Sequence, residues 1–196
     1  MQNNGGWLDL QGCTGITSLP DGLTVGGWLD LQGCTGITSL PDGLTVGGSL
    51  DLQGCTGITS LPDGLTVGRS LNLRDCTGIT SLPDGLTVGG WLNLRGCTGI
   101  TSLPDGLTVG DWLDLEGCTG LAIIDNCGEY NRSIYAWNHK EKGNVVSLGC
   151  FTGNIQECAD AINQKYRGQN AIDYIAKVNQ AFADLEERQR EKAISQ

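Results

Sequence analysis

The sequence predicts an α/β repeat fold, in which a solenoid of six 21-residue coils, stacked as a parallel sheet, is followed by a small α+β module. An internal repeat is the first observation behind this prediction. The 14-residue segment CTGITSLPDGLTVG occurs without a change at Cys13, Cys34, Cys55, Cys76 and Cys97. The second observation is a change of composition after Leu121. Proline does not occur in this part of the chain, and nine of the twelve basic residues lie there. A fixed period of this length is typical of solenoids, because each repeat needs its neighbours to bury its apolar face.

Each repeat is predicted to supply two short strands and two turns. Leu29-x-Leu31 and Leu44-x-Val46 alternate with the period of two that is typical of strands. Gly26-Gly27 and Pro41-Asp42-Gly43 lie between the strand segments, and both sequences favour turns. Because one repeat has too few apolar residues to enclose a core, we expect stacking to complete it.

The spacing of the apolar residues carries a family resemblance. Leu29-x-Leu31-x-x-Cys34-x-x-Ile37-x-x-Leu40-Pro41 resembles the leucine-rich repeat in its short bacterial form. A sixth copy begins at Gly110 and breaks off after Leu121, so the resemblance covers the repeat domain at residues 1–121. The repeat departs from the family pattern in its Gly-Gly pair, its length and the cysteine at every rung. With the tail, it is also similar to poorly characterised proteins encoded by bacteriophages and prophages.

Residues 122–196 are predicted to form an α+β module that caps the last coil, since solenoids need a polar cap over their terminal apolar edge. Leu121 to Asp125 is interpreted as a last rung of the solenoid. Ser133 to Trp137 and Val145 to Leu148 are predicted to pair as a hairpin around residues 139–144.

Two helices are predicted after the hairpin. Asn154-x-x-Glu157 has the form of a capping box, and the helix that it opens is expected to end near Gly168. Asn170-x-x-Asp173 is expected to open the second helix, whose charged end from Glu186 to Gln196 is expected to fray. The predicted apolar faces consist of Ile155, Cys158, Ala159, Ile162 and Tyr166 in the first helix, and Ile172, Ile175, Val178, Phe182 and Leu185 in the second.

The outward face of the Leu-x-Leu strands is the predicted binding surface. Every difference among the copies falls between the fixed glycine and the fixed cysteine, and strand residues that flank the leucines point away from the core. In the leucine-rich-repeat family this face is concave and binds ligands. Three columns form it: a Trp column of Trp7, Trp28, Ser49, Ser70, Trp91 and Trp112, an Asp column of Asp9, Asp30, Asp51, Asn72, Asn93 and Asp114, and a third column that reads Gln11, Gln32, Gln53, Arg74, Arg95 and Glu116.

The Trp column is interrupted in its middle. Ser49 and Ser70 separate Trp28 from Trp91 by three rung spacings, or ~14 Å of sheet, which predicts a notch bordered by indoles. Exposed tryptophan is enriched at binding hot spots, so we expect a protruding group of a protein partner to bind there. The two arginines of the third column lie on one side of the notch and the aspartates of the first three repeats on the other. This charge step favours one docking orientation.

The cysteines and the single histidine do not predict a metal site. The six cysteines of the repeats face the core and are expected to be free buried thiols. Cys127, Cys150, Cys158 and His139 could supply four zinc ligands, but they lack the Cys-x-x-Cys spacing of zinc sites. We therefore predict no metal and no cofactor.

Catalysis has one candidate, and two further functions have a sequence basis. Cys158-Ala159-Asp160 matches the Cys-x-Asp motif of the secreted bacterial leucine-rich-repeat ubiquitin ligases, and that resemblance implies Cys158 as a nucleophile. Their catalytic domain is far longer than this tail, and Cys158 lies on an apolar helix face, so we predict no enzyme.

A structural spacer is one alternative function of the repeat domain. An ice-binding solenoid is another, and its surface would be the threonine column of Thr24, Thr45, Thr66, Thr87 and Thr108.

The net charge and the lack of targeting segments in the sequence predict which partners and which compartment are excluded. The formal charge of −10 argues against nucleic acid and anionic membranes, and neither a signal peptide nor an apolar run of about 18 residues occurs. An odd number of cysteines without a secretory signal favours the cytosol, here the bacterial cytosol, including that of an infected cell. Only Met1 to Asn4 precede the first coil, so its strand, Trp7 to Gln11, is expected to pair with a second copy of the chain or with a partner.

Overall fold

The computed structural model describes residues 2–3, 6–127, 132–139, 142–148 and 151–194. The chain divides into two compact units, Met1–Thr119 and Gly120–Gln196. The first is a parallel-sheet solenoid with a repeat of about 21 residues, and the second is an antiparallel sheet with two helices, so the predicted fold class is confirmed. Capping of the first unit by the second stays a prediction.

Strands on two sides of each coil form the solenoid. Within the described residues, they build two six-stranded parallel sheets in which neighbouring coils pair in register. The Thr-Val sheet contains β1 (Gln2–Asn3), β3 (Thr24–Val25), β5 (Thr45–Val46), β7 (Thr66–Val67), β9 (Thr87–Val88) and β11 (Thr108–Val109). The Leu-Asp sheet contains β2 (Leu8–Asp9), β4 (Leu29–Asp30), β6 (Leu50–Asp51), β8 (Leu71–Asn72), β10 (Leu92–Asn93) and β12 (Leu113–Asp114).

The apolar residues of each repeat point between the two sheets, as the pattern predicts. In the second coil, Leu29, Leu31 and Ile37 are fully buried, and the equivalent residues of the third to fifth coils are buried with them. The first glycine of each pair is fixed by the close approach of the coils. A Cβ atom on Gly89 would overlap the carbonyl oxygen of Gly68 in the preceding coil, so no side chain fits there.

The cysteines form a ladder of free thiols inside the solenoid. The Cys76 thiol donates a hydrogen bond of 2.9 Å to the carbonyl oxygen of Leu52 in the preceding coil, and Cys34, Cys55, Cys97 and Cys118 make the equivalent bond. Burial raises the pKa of Cys76 to about 12. The predicted free thiols are confirmed, although Cys13 in the first coil is exposed.

The start of the chain differs from the prediction. Residues Gln2–Asn3, expected to precede the first coil, form a strand that pairs in parallel with Thr24–Val25. Backbone pairing does not require the apolar side chains by which the repeat was recognised. Pairing of the first coil with a second copy stays a prediction.

The second unit contains an antiparallel sheet of order β13-β14-β15-β16 in the residues described. Its strands are β13 (Ala122–Cys127), β14 (Arg132–His139), β15 (Gly143–Leu148) and β16 (Phe151–Gly153). The β14–β15 hairpin was predicted and is confirmed. The prediction of a last rung at Leu121 to Asp125 is wrong, because Ile123 pairs with Tyr135 in an antiparallel register.

In the described part of this unit two helices follow, α1 (Ile155–Lys165) and α2 (Gln169–Ile194). The capping box is confirmed: the Asn154 side chain accepts from the Glu157 N–H, and the Glu157 carboxylate accepts from the Asn154 N–H, both at 2.9 Å. Cys158 and Ile162 are buried as predicted, whereas Ile155 of the same predicted face is exposed. Neither helix, over the part of the chain described, has the length and apolarity needed to cross a membrane.

The second helix corrects three expectations. It begins at Gln169, ahead of the expected Asn170 cap, and continues to Ile194 instead of fraying from Glu186. Pairs such as Glu186 and Arg190, at 3.4 Å, support its charged end. Ile172 is 59% exposed, whereas Ala171, Tyr174, Val178 and Leu185 are buried against the sheet residues Ile134 and Val146. The buried face of α2 therefore includes Ala171 and Ala181, and it is centred one residue away from the face that Ile172 would lead one to expect.

Candidate binding site on the Leu-Asp sheet

The outward face of the Leu-Asp sheet carries the three predicted columns. In each strand the leucine points inward, as Leu50 does with no exposure, and the next residue, such as Asp51, is on the outward side and half-buried. The indoles lie on the surface, with Trp7 77%, Trp112 49% and Trp28 39% exposed. Such large aromatic surfaces in water are typical of contact sites.

A pocket of about 600 Å³ opens on this face where the serines replace tryptophan. Trp28 and Trp91 lie at its two ends, as the sequence predicts, and Ser49 and Ser70 lie between them. The residues that line it are Trp7, Gly26, Gly27, Trp28, Gly47, Gly48, Ser49, Leu50, Asp51, Arg69, Ser70, Asn72 and Trp91. The structure therefore brings the middle of the Trp column together with the middle of the Asp column.

Aromatic pairs hold the indoles at both ends of the pocket. Trp91 stacks on Trp112, with ring centroids 5.4 Å apart and planes inclined by 11°. At the other end Trp7 and Trp28 meet edge to face at 6.1 Å and 73°. Pairs of this kind contribute ~0.5–1.5 kcal/mol beyond the burial of their area, so the pocket walls are ordered before a partner binds.

The floor of the pocket is polar and hydrogen-bonded. The amide of Asn72 donates to both carboxylate oxygens of Asp51 at 3.1 Å. The backbone N–H of Trp91 donates to the Ser70 hydroxyl oxygen at 3.4 Å. Ser70 and Asn72 are only 7% and 8% exposed. These contacts fix the side chains that a bound group would meet.

The Asp column has a structural role that the sequence analysis missed. In every coil the Oδ1 atom of its Asp or Asn accepts the backbone N–H two residues further on, at 2.9–3.2 Å. This Asx bond closes the turn after the strand. A signal was present in the sequence, since only residues with an Oδ1 acceptor occur in this column.

The arginines predicted beside the notch do not line the pocket. Arg74 forms an ion pair with Asp75 at 3.3 Å, and Arg95 forms one with Glu116 at 2.6 Å. Arg69 lines the pocket instead, and no ion pair joins its side chain to another described residue. Sequence reasoning missed Arg69 because it compared only the three strand columns. Its signal was an arginine in the second position of the repeat, where four of the copies have glycine next to the fixed glycine.

The other predicted residues of the face lie outside the pocket lining. They are Asp9, Asp30, Asn93, Asp114 and Trp112, together with the two arginines of the third column. Trp112 supports the pocket indirectly through its stacking on Trp91. The remaining four extend the Asp column above and below the pocket, in register with Asp51 and Asn72.

The environment of Cys158 does not favour its use as the nucleophile of a ubiquitin-ligase-like enzyme. Cys158 is fully buried, and burial raises its pKa to about 11. A reactive cysteine needs an accessible thiolate, which this environment disfavours. Asp160 points to solvent and accepts a hydrogen bond from Gln156 at 3.0 Å.

The four residues that could supply zinc ligands, although no metal is predicted, are only partly described. Cys150 and the side chains of Cys127 and His139 lie outside the described residues, so Cys158 is the one of the four whose side chain is described. Over the described residues, no group of three or more His, Cys, Asp or Glu side chains is arranged to hold a metal ion.

The threonine column lies on the Thr-Val sheet. Thr45 pairs in register with Thr66, and its hydroxyl donates to the carbonyl oxygen of Gly43 at 3.4 Å. Strands β3, β5, β7, β9 and β11 each have one threonine and one valine, and the valine is buried in the first four of them. One outward threonine per strand does not make the Thr-x-Thr pairs of a flat ice-binding array.

Comparison with protein-family models, with curated proteins and with solved structures found no match to this chain. The resemblance to leucine-rich repeats therefore depends on the repeat sequence alone, and the resemblance to phage proteins depends on the sequence of the repeat and the tail.

Proposed function

We propose that this protein is a non-enzymatic protein-binding module that contacts its partner through the outward face of the Leu-Asp sheet. The observation that carries the proposal is the pocket between Trp28 and Trp91, which combines exposed indoles with a fixed polar floor. Hot spots of protein interfaces are enriched in tryptophan and lie in pockets from which the bound partner excludes water.

The size of the face favours a protruding segment of the partner. Six strands at ~4.8 Å and five residues at ~3.3 Å give a surface of roughly 24 Å by 13 Å, or about 300 Å². Stable interfaces between globular surfaces bury about 800 Å² on each partner. A loop or an extended segment that enters the pocket fits this face better than a flat domain surface.

The repeat sequence also suggests the class of partner and the compartment in which binding occurs. Because it resembles leucine-rich repeats of phage-encoded proteins, a host or phage protein in the bacterial cytosol is the proposed partner. The net charge of −10 argues against nucleic acid as the partner.

Affinity capture from bacterial lysate with serine variants tests the proposal. Trp28→Ser and Trp91→Ser are well suited, because Ser49 and Ser70 show that the repeat folds with serine in this column. We expect partner binding to weaken by about 1–4 kcal/mol, the range of hot-spot residues, while the thermal midpoint falls by about a few degrees, because each variant loses one aromatic pair worth ~0.5–1.5 kcal/mol.

The matched control is a pair of variants on the other sheet, Thr24→Ala and Thr45→Ala, which should leave binding unchanged. Partner capture that survives both serine substitutions, or that is lost equally in the threonine variants, would show that the face is assigned wrongly.

A further inference from the structure

The charges of the solenoid are unevenly distributed along its coils. Residues 1–68 contain six aspartates and no Lys, Arg, His or Glu, and Arg69 is the first basic residue of the chain. Three of these aspartates, Asp9, Asp30 and Asp51, lie on the outward face of the Leu-Asp sheet beside Trp7 and Trp28. The first half of the proposed contact surface is therefore uniformly acidic.

The three carboxylates lie directly opposite one another. Asp9 pairs in register with Asp30, and Asp30 with Asp51. None of them forms an ion pair with a described residue. Like charges placed opposite each other on adjacent strands are destabilising, so the folded solenoid bears an electrostatic cost at this place.

The turn geometry does not require that cost. Asn72 and Asn93 occupy the same column, and each accepts the same backbone hydrogen bond from the arginine two residues on. A neutral amide thus replaces the carboxylate without loss of the Asx turn. The Pro-Asp-Gly turns also stack aspartates, but those side chains are exposed to solvent and never alternate with asparagine.

We propose that this acidic half of the face binds an arginine-bearing segment of the protein partner, an inference that rests on the proposed function. A guanidinium group is planar, stacks on aromatic rings and donates paired hydrogen bonds to one carboxylate. The Trp and Asp columns are two residues apart on one face, or ~7 Å, so one guanidinium reaches an indole and a carboxylate together. A lysine ammonium offers neither the stacking plane nor the paired donors.

Arg69 gives the segment a direction. It lines the pocket at the fourth coil, beyond the last aspartate of the acidic half, and no described residue neutralises it. A second cation is repelled there, whereas an acidic group is attracted. The arginine of the partner therefore binds over the first three coils, and a carboxylate of the same segment lies towards Arg69.

Two other ligands of such a surface lead to different expectations. A metal ion needs several oxygen ligands close together, and the described acidic residues show no such group. A neutral sugar would stack on the indoles too, but three unneutralised carboxylates would add nothing to its binding.

Fluorescence anisotropy with the full chain tests the inference. The probes are three labelled peptides of equal length, with three arginines, three lysines or only glycine and serine. The face variant combines Asp9→Asn, Asp30→Asn and Asp51→Asn, and the control combines Asp21→Asn, Asp42→Asn and Asp63→Asn, so both remove three negative charges. Should the face variant lose its fold by circular dichroism, Asp30→Asn alone replaces it.

We expect the arginine peptide to bind the native chain several-fold more tightly than the lysine peptide. The face variant should weaken that binding by about tenfold or more, and the control by less than about twofold. Equal loss in the two variants would mean general attraction to an acidic chain and would overturn the inference. Equal binding of arginine and lysine would overturn the guanidinium assignment.

The proposed function fails separately from this inference. If no arginine peptide binds while Trp28→Ser and Trp91→Ser still abolish capture of a partner, the face binds a protein of other chemistry. If a neutral oligosaccharide such as maltohexaose binds in a Trp28-dependent manner and the arginine peptide does not, the acidic face is a saccharide site. Each of these results overturns the arginine assignment.

Discussion

Asp30→Asn should make the solenoid more stable, although it removes a hydrogen-bonding charge. Asp30 lies in register between Asp9 and Asp51, and asparagine keeps the Oδ1 acceptor for the Gln32 N–H, now at 2.9 Å. Two unit charges ~5 Å apart in water repel by about 0.8 kcal/mol, so the two neighbours of Asp30 cost about 1.6 kcal/mol. Screening at physiological salt reduces this by roughly half, to about 0.9 kcal/mol.

Urea denaturation followed by circular dichroism measures this gain. The free energy of unfolding should rise by about 1.6 kcal/mol at low ionic strength and by about 0.9 kcal/mol at physiological salt, and the gain should shrink to a few tenths at 0.5–1 M salt. Asn72→Asp is the reverse variant. It extends the run of carboxylates and removes the amide that donates to Asp51, so it should destabilise by at least about 1–2 kcal/mol.

An unchanged or lower stability of Asp30→Asn at low salt would refute the reasoning, as would a gain that does not depend on salt. Either result would mean that the carboxylate column carries no strain for a partner to relieve. The case for an arginine-bearing segment would then lose its energetic basis.

Three other predictions concern stability. The pKa of Cys76 is about 12 in the folded chain and ~8.5 in an unfolded one, so its stabilisation is complete below pH ~8.5 and is lost as the pH rises towards 12. Urea midpoints between pH 8 and 11 should fall, and Cys76→Ala should make that fall smaller without abolishing it, because burial also raises the pKa of Cys55, Cys97 and Cys118. Gly89→Ala, whose Cβ meets the carbonyl oxygen of Gly68, should destabilise by more than about 2 kcal/mol in the same assay, and a wild-type midpoint would contradict the close contact. Asn154→Ala removes the capping box of α1 and should cost about 1 kcal/mol, seen as faster amide exchange in α1 but not in the solenoid strands.

The solenoid could be predicted because the repeat recurs in the sequence at a fixed period. A fixed spacing of 21 residues places equivalent residues in register, so strand pairs such as Leu29 with Leu50 follow from the repeat itself. The notch between Trp28 and Trp91 follows in the same way, since the order of coils is the order of repeats.

Features that depend on side-chain direction or on unrepeated sequence were harder to predict. Arg69 follows a glycine in a turn, and no alternation rule says where a turn residue points. Leu121 to Asp125 continues the apolar character of the repeats, yet its backbone pairs with a distant strand. Ile172 is apolar and correctly spaced, but the neighbouring alanines decide which face of the helix packs.

The fixed segments of the repeat give the array a modular geometry. The 14-residue segment from the cysteine to the last glycine is the same in the five complete copies, so each of these coils returns the chain to the start of the next coil with the same geometry. Gain or loss of a whole 21-residue unit in the middle would therefore change the number of coils while keeping both sheets in register. Each such event would widen or narrow the gap between Trp28 and Trp91 by one rung, ~4.8 Å. The number of repeats thus sets the length of the pocket, and with it the length of the group that fits there. Evolution or design can change that length in steps of one repeat.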